Sequence, residues 1–294
     1  MQSERREQEN EQDMKIIETV KEMQAFSNRM RQEGKIVGFV PTMGYLHEGH
    51  LSLLRIARGK ADVLVLSIYV NPTQFGPNED LEKYPRDFKL DEALAKNEGV
   101  DVLFYPSDHE MYPEGFLSSV SVRGITEVLC GASRPHHFQG VTTICAKLFH
   151  AVHPHFAVFG QKDYQQCVVI ERMVKDLNFD LEIIMGPIVR EADGLAMSSR
   201  NTYLSFQERS DALAIKEALK LVDQMVSQGE RKTGVLIREM TRLIESRKSL
   251  RIDYVRVVHP DHLYDLEIIE DRAVAALAVF AGKTRLIDNT ILEL

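Results

Sequence analysis

His47 and His50 stand three residues apart in the run FVPTMGYLHEGHLSLL, where an apolar stretch turns through Pro and Gly into a helix-like pattern. A helix start offers unpaired amides and partial positive charge to an anion, and residues three apart share one face. Two imidazoles so placed can donate hydrogen bonds to an α-phosphate as it becomes five-coordinate. Gly49 between them leaves room for a nucleotide to come close. Zinc calls for a different spacing, because the metalloprotease helix carries HExxH with its histidines four apart. A lone histidine would read as packing, whereas a pair flanking a glycine just after a strand reads as a phosphate site.

Three other stretches carry residue types that complement it. In DGLAMSSRNTYLS, Ser198, Ser199 and Arg200 follow a Gly turn. Their hydroxyls and guanidinium suit the β and γ phosphates of a departing pyrophosphate, although alone they would read as a solvated turn. In FGQKDYQQ, Lys162 can neutralise phosphate, Asp163 can orient it or hold ribose, and Gln166 can recognise a hydroxyl or carboxylate. A helix N-cap at Asp163 with a solvated lysine accounts for the same residues equally well. In YVNPTQFGPNEDLEKYPRD, Asn71 and Gln74 offer amides that both donate and accept, fit for a hydroxylated or carboxylate substrate, while turn chemistry also explains Asn71. AGKT at 281–284 lacks the earlier glycine of a Walker A loop, no GxGxxG occurs, and His136/His137 and His153/His155 come without a carboxylate or cysteine framework for a metal.

The elements that must position these residues alternate along the chain. KIVGFV, DVLVLSIYV, VDVLFYP, HFAVFG and LEIIMGPIV read as strands, separated by helical patterns near 46–60, 86–97, 140–153 and 163–178. That order predicts parallel βαβ units in an α/β fold, with ligands at the carboxyl ends of the strands. Apolar periodicity starts near Met14, so residues 1–13 read as a charged, solvated extension. Gly and Pro punctuation near 186–194 sets a boundary at about Ile188, giving units at 14–187 and 188–294. The second unit combines two amphipathic helices, near 206–227 and 233–246, with strands IDYVRVV, RAVAALAVF and TRLIDN.

Composition narrows the partners. The 294 residues are 44% apolar, enough for two modest cores, and 36 basic against 44 acidic residues give a net charge of -8. This is the wrong sign for a protein held by nucleic-acid phosphates. The odd number of cysteines, Cys130, Cys145 and Cys167, without CxxC spacing, fits a reducing compartment. With no secretory signal and no apolar run of about 18 residues, the expectation is a soluble cytoplasmic protein that engages no membrane.

PTMGYLHEGH, NPTQFG, YPRD, SRPHHFQGV, FGQKDYQQ, DGLAMSSRN and AGKTRLIDN, in this order and over almost all of Met14 to Asn289, resemble the pantoate-β-alanine ligases, or pantothenate synthetases. PTMGYLHEGH is similar to the HIGH signature of class I aminoacyl-tRNA-synthetase-like nucleotidyltransferases, and MSSRN to their KMSKS loop. The resemblance implies a Rossmann-like N-terminal domain with helices on both faces of its sheet, a smaller α+β C-terminal lid and a homodimer. It also implies ATP with Mg²⁺, pantoate and β-alanine as reactants, joined through an acyl adenylate. His47, His50, Lys162, Ser198, Ser199 and Arg200 would then be catalytic. Pro41, Thr42, Met43, Gly49, Gly160, Asp163 and Met197 would bind ATP, and Met43, Asn71, Gln74 and Gln166 pantoate. Asp91 would stand near the metal or pyrophosphate. This chain departs from the family in having His136 where Gly is common and Gln161 where Glu is common. Rival classes are a nucleotidyltransferase that makes no amide, a non-catalytic nucleotide-binding protein and a zinc hydrolase.

Overall fold

The computed structural model describes residues 14–77 and 79–294, so the expected N-terminal extension lies outside the described residues. Six strands form a parallel sheet: β1 (Lys15–Ile17), β2 (Val37–Thr42), β3 (Val63–Ile68), β4 (Val102–Phe104), β5 (Phe156–Gly160) and β6 (Glu182–Gly186), in the order β1-β4-β3-β2-β5-β6. Every residue of β3, VLVLSI, is buried. A nearly continuous apolar run, here broken only by Ser67, is what a strand covered on both faces requires. Helices α1 (Val20–Gln32), α2 (Glu48–Arg58), α3 (Phe88–Asn97), α4 (Asp108–Met111), α5 (Cys130–Ser133), α6 (His137–Val152) and α7 (Tyr164–Asp176) fill the connections. Phe39, Val65 and Phe159 meet α6 on one face, while Val40, Leu66 and Val158 meet α2 on the other. The alternation follows from the two-residue period of a strand.

From β2 the chain passes through α2 to build β3 and β4 on one side, whereas β5 and β6 lie on the other. The carboxyl ends of β2 and β5 therefore flank the topological switch point, the crevice where open α/β sheets bind ligands.

A second sheet is antiparallel, β7 (Leu250–Val258), β8 (Arg272–Ala281) and β9 (Thr284–Glu293), and is covered by α8 (Phe206–Ser227) and α9 (Thr233–Glu245). Local chemistry fixes where α8 begins. The Ser205 hydroxyl accepts from the Glu208 amide at 3.3 Å, and the Glu208 carboxylate accepts from the Ser205 amide at 2.8 Å. This reciprocal cap satisfies two amides that the helix cannot. Ala212, Ile215, Leu219 and Val222 then form the buried stripe toward the sheet. AGKT is the hairpin between β8 and β9, with Gly282 at φ +56°.

The sequence pattern misses β1. Its three residues pair with β4 before Thr19 caps α1, a strand too short to display a period of its own. Among the described residues, no helix is long and apolar enough to cross a membrane.

Candidate active site

The turn from β2 into α2 is built by side chains that grip the backbone. The Thr42 hydroxyl donates to the Ser67 carbonyl on β3 at 2.8 Å and accepts from the Gly44 amide at 3.2 Å. Gly44 (φ +81°) and Tyr45 (φ 52°) are both left-handed. Glycine adopts that region freely, whereas tyrosine must be held there. Asp91 on α3 does so, accepting from the Tyr45 amide at 2.8 Å and the Leu46 amide at 2.7 Å. The residue expected near a metal or pyrophosphate is therefore placed under the turn and away from the cavity wall. Its side chain is buried under the turn, both carboxylate oxygens are engaged by main-chain donors, and burial pushes its carboxyl above the ordinary range against those two amides. Asp91→Asn should cost about 1–3 kcal/mol of stability, the penalty for an unsatisfied buried group, measurable by urea unfolding. Divalent-metal affinity should be unchanged in this variant, and a weaker affinity would restore the metal role.

His47 caps α2 in extended conformation. The Nδ1 of His50 accepts from the His47 amide at 3.3 Å, so the neutral His50 ring carries its proton on Nε2 as a donor. The two rings stack with centroids 4.1 Å apart. Gly49, which lines the cavity, also has a local role, because a Cβ at this position would stand 2.9 Å from two atoms of the His47 ring. Burial, reinforced by the Lys162 ammonium, lowers the His47 pKa to about 4. Burial, then His47, then Lys162 lower that of His50 to about 3.

These values fix a direction with pH. Folded-state pKa values below the ordinary 6.5 mean that the unfolded chain takes up protons first. The associated stability is present in full above pH 6.5 and is lost as pH falls toward 4 for His47 and 3 for His50. Melting temperature should therefore decline below pH 6.5 more steeply in the native chain than in His50→Gln. Parallel curves for the two proteins would contradict the burial described here.

Lys162 and Asp163 lie in the single-turn 3-10 helix Gln161–Asp163 that joins β5 to α7. Asp163 makes no side-chain capping bond to α7; its carboxylate is instead 3.7 Å from the Lys162 ammonium. Asp163 thus occupies the N-cap position that the capping alternative expects, but without the side-chain bond that would make it a cap. The two glutamines that follow divide. Gln165 is buried, accepting from the Cys130 amide and donating to the Ile125 and Val128 carbonyls, while Gln166 faces the cavity.

Asn71 also proves to be a support. Its Nδ2 donates to Gln74 Oε1 at 3.0 Å and to the Gly140 carbonyl at 3.1 Å, and its Oδ1 accepts from the Thr73 hydroxyl and the Tyr112 phenol. Its donors and acceptors are thus all engaged within the protein, and one of them orients Gln74, while the residue still lines the cavity. The Nε2 of Gln74 lies 3.1 Å from Met43 Sδ.

The Ser/Arg loop is held rather than solvated. Ser198 Oγ accepts from the Arg200 amide, Ser199 is buried with its hydroxyl 3.4 Å from the Tyr84 phenol, and Arg200 grips Asp80 through two bonds of 2.9 Å. Although burial opposes it, the Arg200 guanidinium holds the Asp80 carboxyl below the usual range. Arg134 and His137 were not among the expected site residues. The Nδ1 of His137 donates to the Gln74 carbonyl at 2.8 Å, so its Nε2 accepts from Arg134 at 3.2 Å. The SRPHHFQGV stretch carried the signal, since an arginine just ahead of a helix start is suited to an anion.

These residues converge. A cavity of about 240 Å³ at the switch point is lined by Pro41, Thr42, Met43, His47, Gly49 and His50 from one side. Asn71, Gln74, Gly160, Lys162, Asp163 and Gln166 line it from another, and Met197 to Arg200 close it. Among the expected site residues, Asp91 alone is absent from its wall. A larger cavity of about 610 Å³ between the two sheets shares Arg134, His137, Lys162, Asp163, Gln166, Ser198 and Arg200 with it. Of the two, the smaller holds the histidine pair, Met43 and Gln74.

Comparison with known proteins agrees with this geometry. The family model described as pantoate-beta-alanine ligase matches residues 15–291. The chain is 54% identical to pantothenate synthetase of Syntrophus aciditrophicus, over 95% of this chain and 97% of the relative, and 52% identical to that of Caldicellulosiruptor bescii, over 95% and 99%. The crystal structure of pantothenate synthetase from Thermus thermophilus superposes with a TM-score of 0.90 at 45% identity, covering 94% of this chain and 99% of that one. The Francisella tularensis ligase, described as complexed with beta-gamma ATP and beta-alanine, superposes with a TM-score of 0.79 at 35% identity, covering 95% and 97%. A family match across nearly the whole chain, on a fold of the same kind, places this chain among the pantoate-β-alanine ligases.

Proposed function

We propose that the cavity between β2 and β5 is where this ligase condenses pantoate with β-alanine at the expense of ATP, through a pantoyl adenylate, releasing AMP and pyrophosphate. The observation that carries this assignment is the convergence of His47, His50, Lys162 and Arg200 from distant stretches of chain around one cavity. Pantoate would lie at the end formed by Met43, Gln74 and Gln166, with Val141, Ile144 and Leu148 against its apolar part. Its carboxylate then attacks the α-phosphorus in line, and pyrophosphate leaves. His50 donates from Nε2, and Lys162, Ser198, Ser199 and Arg200 balance the growing charge.

Mg²⁺ would enter with the triphosphate. Among the described residues no cluster of three or more His, Cys, Asp or Glu forms a metal cage. Glu79, Asp80 and Asp288 of the larger cavity are paired with Arg134, Arg200 and Arg190, which leaves Asp163, shared by both cavities, as the carboxylate among the described lining residues not held by an arginine. One carboxylate beside substrate phosphates is an arrangement that Mg²⁺ accepts, and there the ion would neutralise phosphate charge.

The amine of β-alanine would reach the adenylate carbonyl from the larger cavity, with AMP as leaving group. Residues 188–294 would act as the lid that keeps water from the mixed anhydride. The assembly implied by family resemblance is a homodimer, which light scattering on the purified protein tests. The decisive experiment is exchange of labelled pyrophosphate into ATP with β-alanine omitted. Pantoate-dependent exchange is the expected result, and its absence under conditions that support amide formation would exclude the adenylate.

A further inference from the structure

We infer that Asn289, on β9 of the antiparallel sheet, is a positioning residue that sets Lys162 against the Ser198–Arg200 loop. This inference rests on the role proposed above for Lys162. Asn289 is buried, and its Nδ2 donates to the carbonyls of both Gln161 and Lys162, at 2.9 and 3.0 Å. Gln161 reciprocates, its Nε2 donating to Asn289 Oδ1 at 3.3 Å. The bonds of this amide therefore go to the turn that carries the ammonium, on the other sheet's β5–α7 connection, and not to its own strand neighbours.

The residue before it grips the other side of the cavity. The Asp288 carboxylate is buried, accepts from the Asn289 amide at 2.8 Å, and pairs with Arg190 through bonds of 2.6 and 3.1 Å. Arg190 also donates to the Gly194 carbonyl, at the tip of the hairpin that leads into Met197 and Ser198. Adjacent residues of β9 thus hold the two cationic arms of the site at a fixed spacing. Asparagine is a poor strand former and a buried amide is costly unless bonded. An apolar residue would serve the sheet better at position 289, so packing alone gives no reason for an amide there.

The test is a double-mutant cycle on pantoate-dependent pyrophosphate–ATP exchange, using Asn289→Leu, Lys162→Ala and the pair. Displacing the ammonium by a fraction of an ångström should lower the exchange turnover of Asn289→Leu by about 10- to 100-fold, with the KM for pantoate within about twofold of native. In the Lys162→Ala background the same change should add almost nothing, because the group it positions is gone. Equal slowing in both backgrounds, or no slowing in either, overturns the inference. Near-native exchange by Lys162→Ala alone overturns the role of Lys162 and the inference with it, and that single variant tells the two failures apart. Thermal melting checks folding of each protein. Should the leucine variant not fold, Asn289→Asp carries the comparison, since it keeps the shape and sets an oxygen against the two carbonyls.

Discussion

Lys162→Ala and His50→Ala should each lower adenylation turnover by about 10² to 10³, the range seen when one positioned donor to a transition state is removed. The two losses should differ in kind. Lys162 brings a full positive charge to the cavity, whereas His50, with its pKa lowered to about 3, brings a neutral donor on Nε2. The His50 variant should therefore lose turnover evenly across neutral pH. Removing Lys162 also removes a charge that lowers both imidazoles, so the pH profile of that variant should shift to higher pH on its acidic limb. Stopped-flow or quench-flow measurement of adenylate formation against pH checks both. Near-native turnover in both variants would exclude these groups from the reaction.

Arg200→Ala should slow adenylation by about 10², with less effect on attack by the amine, because in the proposed mechanism the guanidinium serves pyrophosphate and not the carbonyl. Its pairing with Asp80 adds a second expectation. Two bonds of 2.9 Å join the Ser/Arg loop to the 79–84 segment, so Asp80→Ala removes the latch while leaving the charge. Asp80→Ala should raise the KM for ATP with a turnover loss well below that of Arg200→Ala. Single-turnover experiments that separate adenylate formation from amide formation decide the matter. Slowing confined to the amine step in Arg200→Ala would contradict the placement of the loop.

The sequence made His47, His50, Lys162 and Arg200 legible because each sits in a short motif next to a strand end or Gly turn, where backbone geometry leaves few places for the side chain to go. The backbone-bracing contacts of Asn71 and Asp91 were not legible, for a common reason. A polar residue beside a ligand and one that braces the backbone under it have the same local sequence, and only coordinates reveal that the amide of Asn71 and the carboxylate of Asp91 are already engaged. Arg134 and His137 escaped because their partner is the carbonyl of Gln74, some sixty residues away. Strands β2 to β6 could be read from their apolar runs, while β1 is defined by pairing with β4 rather than by pattern.

The cavity wall draws on positions from 41 to 200 and is braced by β9 at the far end of the chain. No fragment shorter than residues 41–289 contains both the wall and its brace. Distant contacts form late in folding because long loops must close before they are rewarded. During renaturation, catalysis should therefore return after circular dichroism has recovered, and a chain clipped before Asn289 would carry the histidine pair and the lysine yet lack the brace between them.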